Sequence, residues 1–171
     1  LIGWRFISHL YGRTRLAIPS AAIILLYGAW VTYLSGLYPI LFIYLERLPL
    51  PQFYIPIMFI SGYLLLNALA NFTSYVAYRT KEGAKHLLLG SAVSILPSVI
   101  LPTAYFVAKA LQSPLTSLQA QVLMLIGIGY SLCLLTSSIS LSKGLAAEKA
   151  ALSALVTLYA SLGLAFILTT L

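Results

Sequence analysis

Hydrophobic residues in this chain form five long runs, and the charged residues lie between the runs rather than inside them. A helix needs about 20 consecutive apolar residues to cross a hydrocarbon core of about 30 Å. The pattern therefore predicts an all-α integral membrane protein: one domain over residues 1–171, built as a bundle of five transmembrane helices. The predicted spans are residues 16–36, 53–78, 87–111, 118–141 and 150–171.

The segment before the first run predicts a short amphipathic helix over residues 1–12 that lies in the membrane interface. At 100° per residue, its basic and polar side chains fall on one face, and Trp4 with the aliphatic residues falls on the other. A partner-binding helix is the alternative, but the first span begins only a few residues later. The basic face comprises Arg5, His9 and Arg13.

The apolar segment over residues 37–47 has two interpretations. Pro39 makes an uninterrupted helix doubtful, because proline removes a backbone donor and clashes with the preceding turn. The segment is either the tilted end of span one or a short piece of chain on the surface.

The composition supports a membrane location and indicates an orientation. Hydrophobic residues make up 61% of the chain and charged residues 8%, against about 25% charged residues in soluble domains. Eight of the ten Lys and Arg fall in the N-terminal segment and the two loops predicted on the same side. The positive-inside rule then places the N-terminus in the cytoplasm and the C-terminus on the opposite side. The net charge of +7 does not predict a nucleic-acid partner, since the basic residues flank spans and form no continuous patch.

Polar side chains follow one face of span two and one face of span three. Amide and hydroxyl groups are costly in lipid unless they find partners, so each stripe must face protein or a wet cavity. Two readings remain open: hydrogen bonds between helices, or the wall of a pocket. The residues of the combined stripe are Tyr63, Asn67, Asn71, Ser74, Ser91, Ser94, Ser98 and Tyr105.

Span four carries small and polar residues on two separate stripes. Tyr130, Cys133 and Ser137 belong to the first, and Gly127 and Ser131 belong to the second. Small residues three or four apart let helix backbones approach closely. The two stripes predict that span four touches neighbours on both sides.

The sequence predicts no catalytic residue, no metal site and no cofactor. No span has a charged residue near its middle, although proton- and ion-coupled carriers usually place one there. A bis-His haem needs two histidines at matching depth within the membrane, whereas His9 and His86 both lie at the predicted cytoplasmic edge. Whether the chain has enzymatic activity stays uncertain, and these features favour none.

Two function classes fit these features. The first is a non-catalytic accessory or scaffold subunit of a larger membrane complex, such as a respiratory or electron-transfer assembly. Its partners would be membrane lipids and other membrane protein subunits. The second is a small oligomeric channel or facilitator for a neutral solute, walled by the polar stripes of spans two and three. An enzyme acting on lipid or quinone is a third and weaker possibility.

Overall fold

A computed structural model describes residues 14–40, 42–80 and 84–170 of the chain. It is mostly helical, with 80% of residues in helices. The predicted interfacial helix over residues 1–12, with Arg5, His9 and Arg13, lies outside the described residues. The elements in chain order are α1 (Thr14–Ser35), β1 (Tyr38–Ile40), β2 (Ile43–Leu45), α2 (Tyr54–Tyr78), α3 (Ala84–Ile95), a 3-10 helix (Leu96–Val99), α4 (Ile100–Ala110), α5 (Ser117–Lys143) and α6 (Ala147–Thr170).

Four segments in the described part of the chain are long and apolar enough to cross a membrane. They are Ile18–Ser35, Tyr54–Tyr78, Leu87–Ala110 and Ser117–Lys143, with mean hydropathies of 1.5, 1.6, 1.8 and 2.0. The third comprises most of α3, the 3-10 helix and α4, and we call it the central span. Helix α6, 24 residues long, lies where the fifth span was predicted.

The central span forms the middle of the bundle. In its most apolar stretch 67% of the residues are buried, against 28–33% of the residues in the corresponding stretches of the other three segments. Helices α1, α2 and α5 pack around it, and α6 packs against α2 and α5. A helix that is apolar or small on every side can be buried in this way, because no face requires water.

The central span changes to a 3-10 helix at Leu96–Val99, where Pro97 interrupts the α-helical hydrogen bonds. Helix α5 crosses this turn at close range. A Cβ added to Gly127 would lie 2.9 Å from the Pro97 carbonyl oxygen and 3.2 Å from Ser98 Cα. The missing side chain at Gly127 therefore permits direct contact between two backbones.

Within residues 37–47, Tyr38–Ile40 and Ile43–Leu45 pair as the two strands of a β-hairpin. Both interpretations of this segment were therefore wrong, and the chain is not all-helical. Helix α1 ends at Ser35 because Gly36 adopts a left-handed conformation with φ 76°. Strands β1 and β2 then pair antiparallel, with Tyr38 opposite Leu45 and Ile40 opposite Ile43.

The hairpin enters the bundle instead of lying on its surface. Tyr38, Phe42 and Tyr44 are buried, and Phe42 belongs to the same core cluster as Leu66 of α2. A two-stranded hairpin is at best marginally stable alone. Burial of these aromatic rings against helices supplies the stabilisation that the short strands lack.

The connection between α4 and α5 is fixed by a capping box. The Thr116 hydroxyl accepts a bond from the Gln119 N–H (3.3 Å), and the Gln119 side chain accepts one from the Thr116 N–H (3.0 Å). Thr116 is therefore the N-cap of α5. Two otherwise unpaired donors at the start of α5 are thereby satisfied.

The outer faces of the helices are as apolar as the interior. Many large hydrophobic side chains are exposed, including Ile18, Trp30, Phe72, Leu125 and Phe166. Apolar surface of this extent is unusual for a protein that is surrounded by water.

Candidate functional site

The predicted polar stripe brings α2 and α3 into direct contact. Asn67 Nδ2 donates to Ser91 Oγ at 2.9 Å, across the helix interface. Asn71 Nδ2 in turn donates to Asn67 Oδ1 at 3.1 Å. Spacing of four residues along α2 places these two amides on one face, one turn apart. The amides therefore form a hydrogen-bonded chain that ends on α3.

Tyr63 joins the same contact one turn earlier on α2. Its hydroxyl donates to the Leu88 carbonyl at 2.6 Å, and Ser91 donates to that carbonyl at 3.1 Å. Tyr63 and Ser91 are both buried. We call Tyr63, Asn67, Asn71 and Ser91 the α2–α3 network.

One polar atom of the α2–α3 network lacks a partner. Asn71 Oδ1 is buried and accepts no hydrogen bond from any residue that the structure describes. An unpaired buried acceptor costs about 1–3 kcal/mol.

The remaining predicted serines of the stripe make three other contacts. Ser74 approaches Ser153 of α6 at 3.2 Å between hydroxyl oxygens. Ser94 donates to the Ser91 carbonyl of its own helix at 2.8 Å. Ser98 bonds the Ile95 carbonyl and also approaches the Tyr44 hydroxyl at 3.2 Å. The stripe thus serves several helix contacts instead of one continuous wall.

Tyr44, whose hydrogen bond to Ser98 the sequence did not predict, joins the hairpin to the middle of the central span. It is buried, and burial raises the pKa of its hydroxyl above the ordinary value of 10.0. The hydroxyl therefore stays neutral when the protein is folded.

Tyr105 lies apart from the other predicted residues, beside a cavity at the hairpin end of the bundle. Its hydroxyl donates to Glu46 Oε1, just after β2. The cavity has a volume of about 540 Å³, and we call it the hairpin-end cavity. Sequence reasoning missed this site, because only the hairpin brings residue 46 next to residue 105. The lining comprises Ser35, Gly36, Leu37, Glu46, Arg47, Tyr105, Ala108, Lys109, Gln112, Pro114 and Leu115.

A second, apolar groove of about 420 Å³ lies between α1 and α5 over the 3-10 helix. Tyr27 of α1 and Tyr130 of α5 form its sides, and Pro97 lies in its wall beside Gly127. Both tyrosines are more than half exposed. The groove therefore interrupts the ring of helices around the central span.

The two stripes of α5 have different surroundings. Gly127, Ser131 and Ser138 are buried inside the bundle. Tyr130 and Cys133 of the first stripe are exposed, and Ser137 is partly exposed. Gly129, which the sequence placed on neither stripe, is on the same helix, and a Cβ added to it would meet no atom within 4 Å. One stripe therefore has the neighbours that the sequence predicted, and the other faces outward.

Comparisons of the chain with protein-family models, with curated proteins and with solved structures gave no match.

Among the described residues, no three His, Cys, Asp or Glu side chains lie close enough together to bind a metal ion. His9 lies outside these residues.

Proposed function

We propose that the protein is a multi-pass integral membrane protein that acts as a non-catalytic accessory or scaffold subunit of a larger membrane complex. All five predicted spans cross the bilayer in this proposal, with the N-terminus cytoplasmic and the C-terminus on the opposite side. The apolar outer faces of α1, α2 and α5 support the membrane location, because lipid is a favourable solvent for them.

The outward-facing stripe of α5 carries the subunit proposal. Cys133 and Ser137 of this stripe follow Gly129 at intervals of four residues on one side of the helix, and the Ser137 hydroxyl donates to the Cys133 carbonyl at 3.0 Å. Flexible lipid chains pack on such a surface no better than on any other apolar helix face. A second helix could approach its backbone closely there, and the resulting van der Waals packing is one of the forces that drive helix association in membranes. The adjoining groove, with its exposed Tyr27 and Tyr130, extends the same surface.

The oligomeric facilitator remains the second candidate. Its wall would be the polar stripes of α2 and the central span. We rank it lower because Asn67 and Ser91 bond each other directly, which leaves fewer polar groups for a solute. The respiratory or electron-transfer setting of the complex stays a prediction from the sequence alone.

Extraction from the native membrane in a mild detergent tests the subunit proposal. We expect the protein to co-migrate with larger companion subunits at a fixed ratio. Replacing Gly129 with Leu should release it from the companions, because the added side chain fills the approach surface. Gly163→Leu is the matched control, since Gly163 of α6 also has open space around its Cα and should tolerate the change.

Two results would contradict the subunit proposal. The wild-type protein could run alone as a monomer or small homo-oligomer, or Gly129→Leu could retain every companion. In the first case the facilitator is tested by solute flux into liposomes, where Asn67→Leu combined with Asn71→Leu should abolish flux.

A further inference from the structure

The hairpin-end cavity collects charged side chains from elements that are distant in sequence. Arg47 follows β2, and Lys109 lies in the last turn of α4. Both line the cavity together with Gln112, which lies two residues after the end of α4 and has a left-handed conformation with φ 54°. Its volume of about 540 Å³ falls within the range of about 300–1,000 Å³ that is typical of small-molecule sites.

The two cations have no ion-pair partner among the described residues. The one carboxylate in the lining, Glu46, accepts its hydrogen bond from Tyr105 instead. This bond also fixes the hairpin to α4 and so holds Arg47 and Lys109 around the same space. With both cations and Glu46 ionised, the lining carries a net charge of +1.

Basic side chains at the end of a span can extend towards lipid headgroups, and this would be a sufficient explanation for Lys109 if Arg47 were not beside the same cavity. Arg47 is different, because it lies on an irregular segment whose position is fixed by a buried hairpin. Two cations from separate elements that converge on one cavity are typical of a built anion site. Arg can bind two phosphate oxygens as a fork, and Lys adds a compact charge.

We infer that the hairpin-end cavity binds the phosphate of an anionic phosphodiester that carries a free hydroxyl, such as a glycerol phosphate headgroup. Arg47 and Lys109 hold the phosphate, and the free oxygen of Glu46 accepts a hydrogen bond from the ligand hydroxyl. Leu37, Pro114 and Leu115 supply apolar walls for the carbon skeleton. This inference is independent of the proposed partner subunits.

Thermal unfolding of the full chain in an uncharged detergent tests the inference. Dioctanoyl phosphatidylglycerol should raise the unfolding midpoint, whereas dioctanoyl phosphatidylcholine at equal concentration should have a much smaller effect. Each of Arg47→Gln and Lys109→Gln should raise the half-effective lipid concentration about fivefold. Lys149→Gln is the matched control: this exposed cation lies at the other end of the bundle, over the Tyr78 ring. It should leave the titration unchanged.

A parallel titration with glycerol 3-phosphate identifies the source of the phosphate. An effect of the lipid alone assigns the cavity to a lipid headgroup, and an effect of both with the same residue dependence extends it to soluble phosphate esters. Equal stabilisation by the two lipids, or by neither, overturns the inference. A wild-type response in both Arg47→Gln and Lys109→Gln also overturns it. Both side chains are exposed, so neither change should unfold the bundle; should one do so, the other variant and lipid retention in native mass spectrometry decide the question.

Discussion

The contact between Gly127 and the 3-10 helix makes a sharp prediction about Gly127→Ala. The new methyl group would lie 2.9 Å from the Pro97 carbonyl oxygen and 3.2 Å from Ser98 Cα, where ordinary contacts begin near 3.4 Å. Both atoms belong to the backbone of the most buried span, so no side chain can rotate away. Helix α5 and the central span must separate by about half an ångström, since 3.4 less 2.9 is 0.5.

Overpacking of this kind costs about 1–3 kcal/mol. Alanine recovers up to about 1 kcal/mol of that through its better helix propensity. With that full recovery we expect a net loss of up to about 2 kcal/mol, and relative to an alanine at an open helix position the loss is the full overpacking cost of about 1–3 kcal/mol. The assay is reversible unfolding in mixed micelles of a mild detergent and dodecyl sulfate, followed by the helical circular dichroism signal.

Gly129→Ala provides the matched control for this experiment. It lies on the same helix two residues later, and its Cβ would meet nothing within 4 Å. Its stability should be unchanged or higher by up to about 1 kcal/mol. If Gly127→Ala and Gly129→Ala are equally stable, the close approach of α5 to the 3-10 helix is refuted.

Three further predictions concern polar groups. Asn67→Leu removes the bond to Ser91 and should destabilise the bundle by about 0.6–1.7 kcal/mol in the same unfolding assay. Thr116→Ala removes the capping box of α5 and should cost about 1 kcal/mol. Because burial raises the pKa of Tyr44, its contribution to stability is complete below pH 10 and is lost as the pH rises above 10. Unfolding midpoints measured between pH 9 and 11 should therefore fall more steeply in the wild type than in Tyr44→Phe.

Each of these predictions has its own control. Ser61→Ala removes an exposed hydroxyl from the same helix as Asn67 and should leave the stability unchanged. If Ser61→Ala and Asn67→Leu lost the same amount of stability, the bond between Asn67 and Ser91 would not be the source of the loss. Thr116→Ser keeps the capping oxygen and should restore most of the stability lost in Thr116→Ala. Parallel pH curves for the wild type and Tyr44→Phe would contradict the role assigned to burial of Tyr44.

The helices could be predicted from the sequence because an apolar run of about 20 residues is long enough to cross a bilayer and can do so as a helix. The second predicted span, residues 53–78, corresponds to α2 at Tyr54–Tyr78, and the fourth, residues 118–141, lies within α5 at Ser117–Lys143. In both cases charged or turn-forming residues border the run and set its ends. The third predicted span, residues 87–111, corresponds to the central span, where the 3-10 helix forms at the segment that contains Pro97.

The hairpin could not be predicted from local sequence, since its strands of three residues are too short to show an alternating pattern. Its stability depends on tertiary contacts, such as that between Tyr44 and Ser98, which are 54 residues apart. The same long-range geometry explains why the sequence did not pair Tyr105 with Glu46. Helical spacing placed it on a face with Ser94 and Ser98, but spacing does not reveal that Glu46 lies opposite it.

The buried hairpin has a consequence for the order of assembly during synthesis. Its strands leave the ribosome before α2 and the central span exist. In the membrane arrangement that we propose, irregular backbone is stable at membrane depth only when protein surrounds it. We expect the hairpin to remain at the membrane surface until the central span has been inserted, and only then to pack into the helix bundle. A nascent chain truncated at residue 80 should therefore leave a cysteine placed at Phe42 open to a water-soluble thiol reagent. In the full-length chain, with the exposed Cys133 changed to Ser, the same position should be protected. Protection of the truncated chain would exclude late entry.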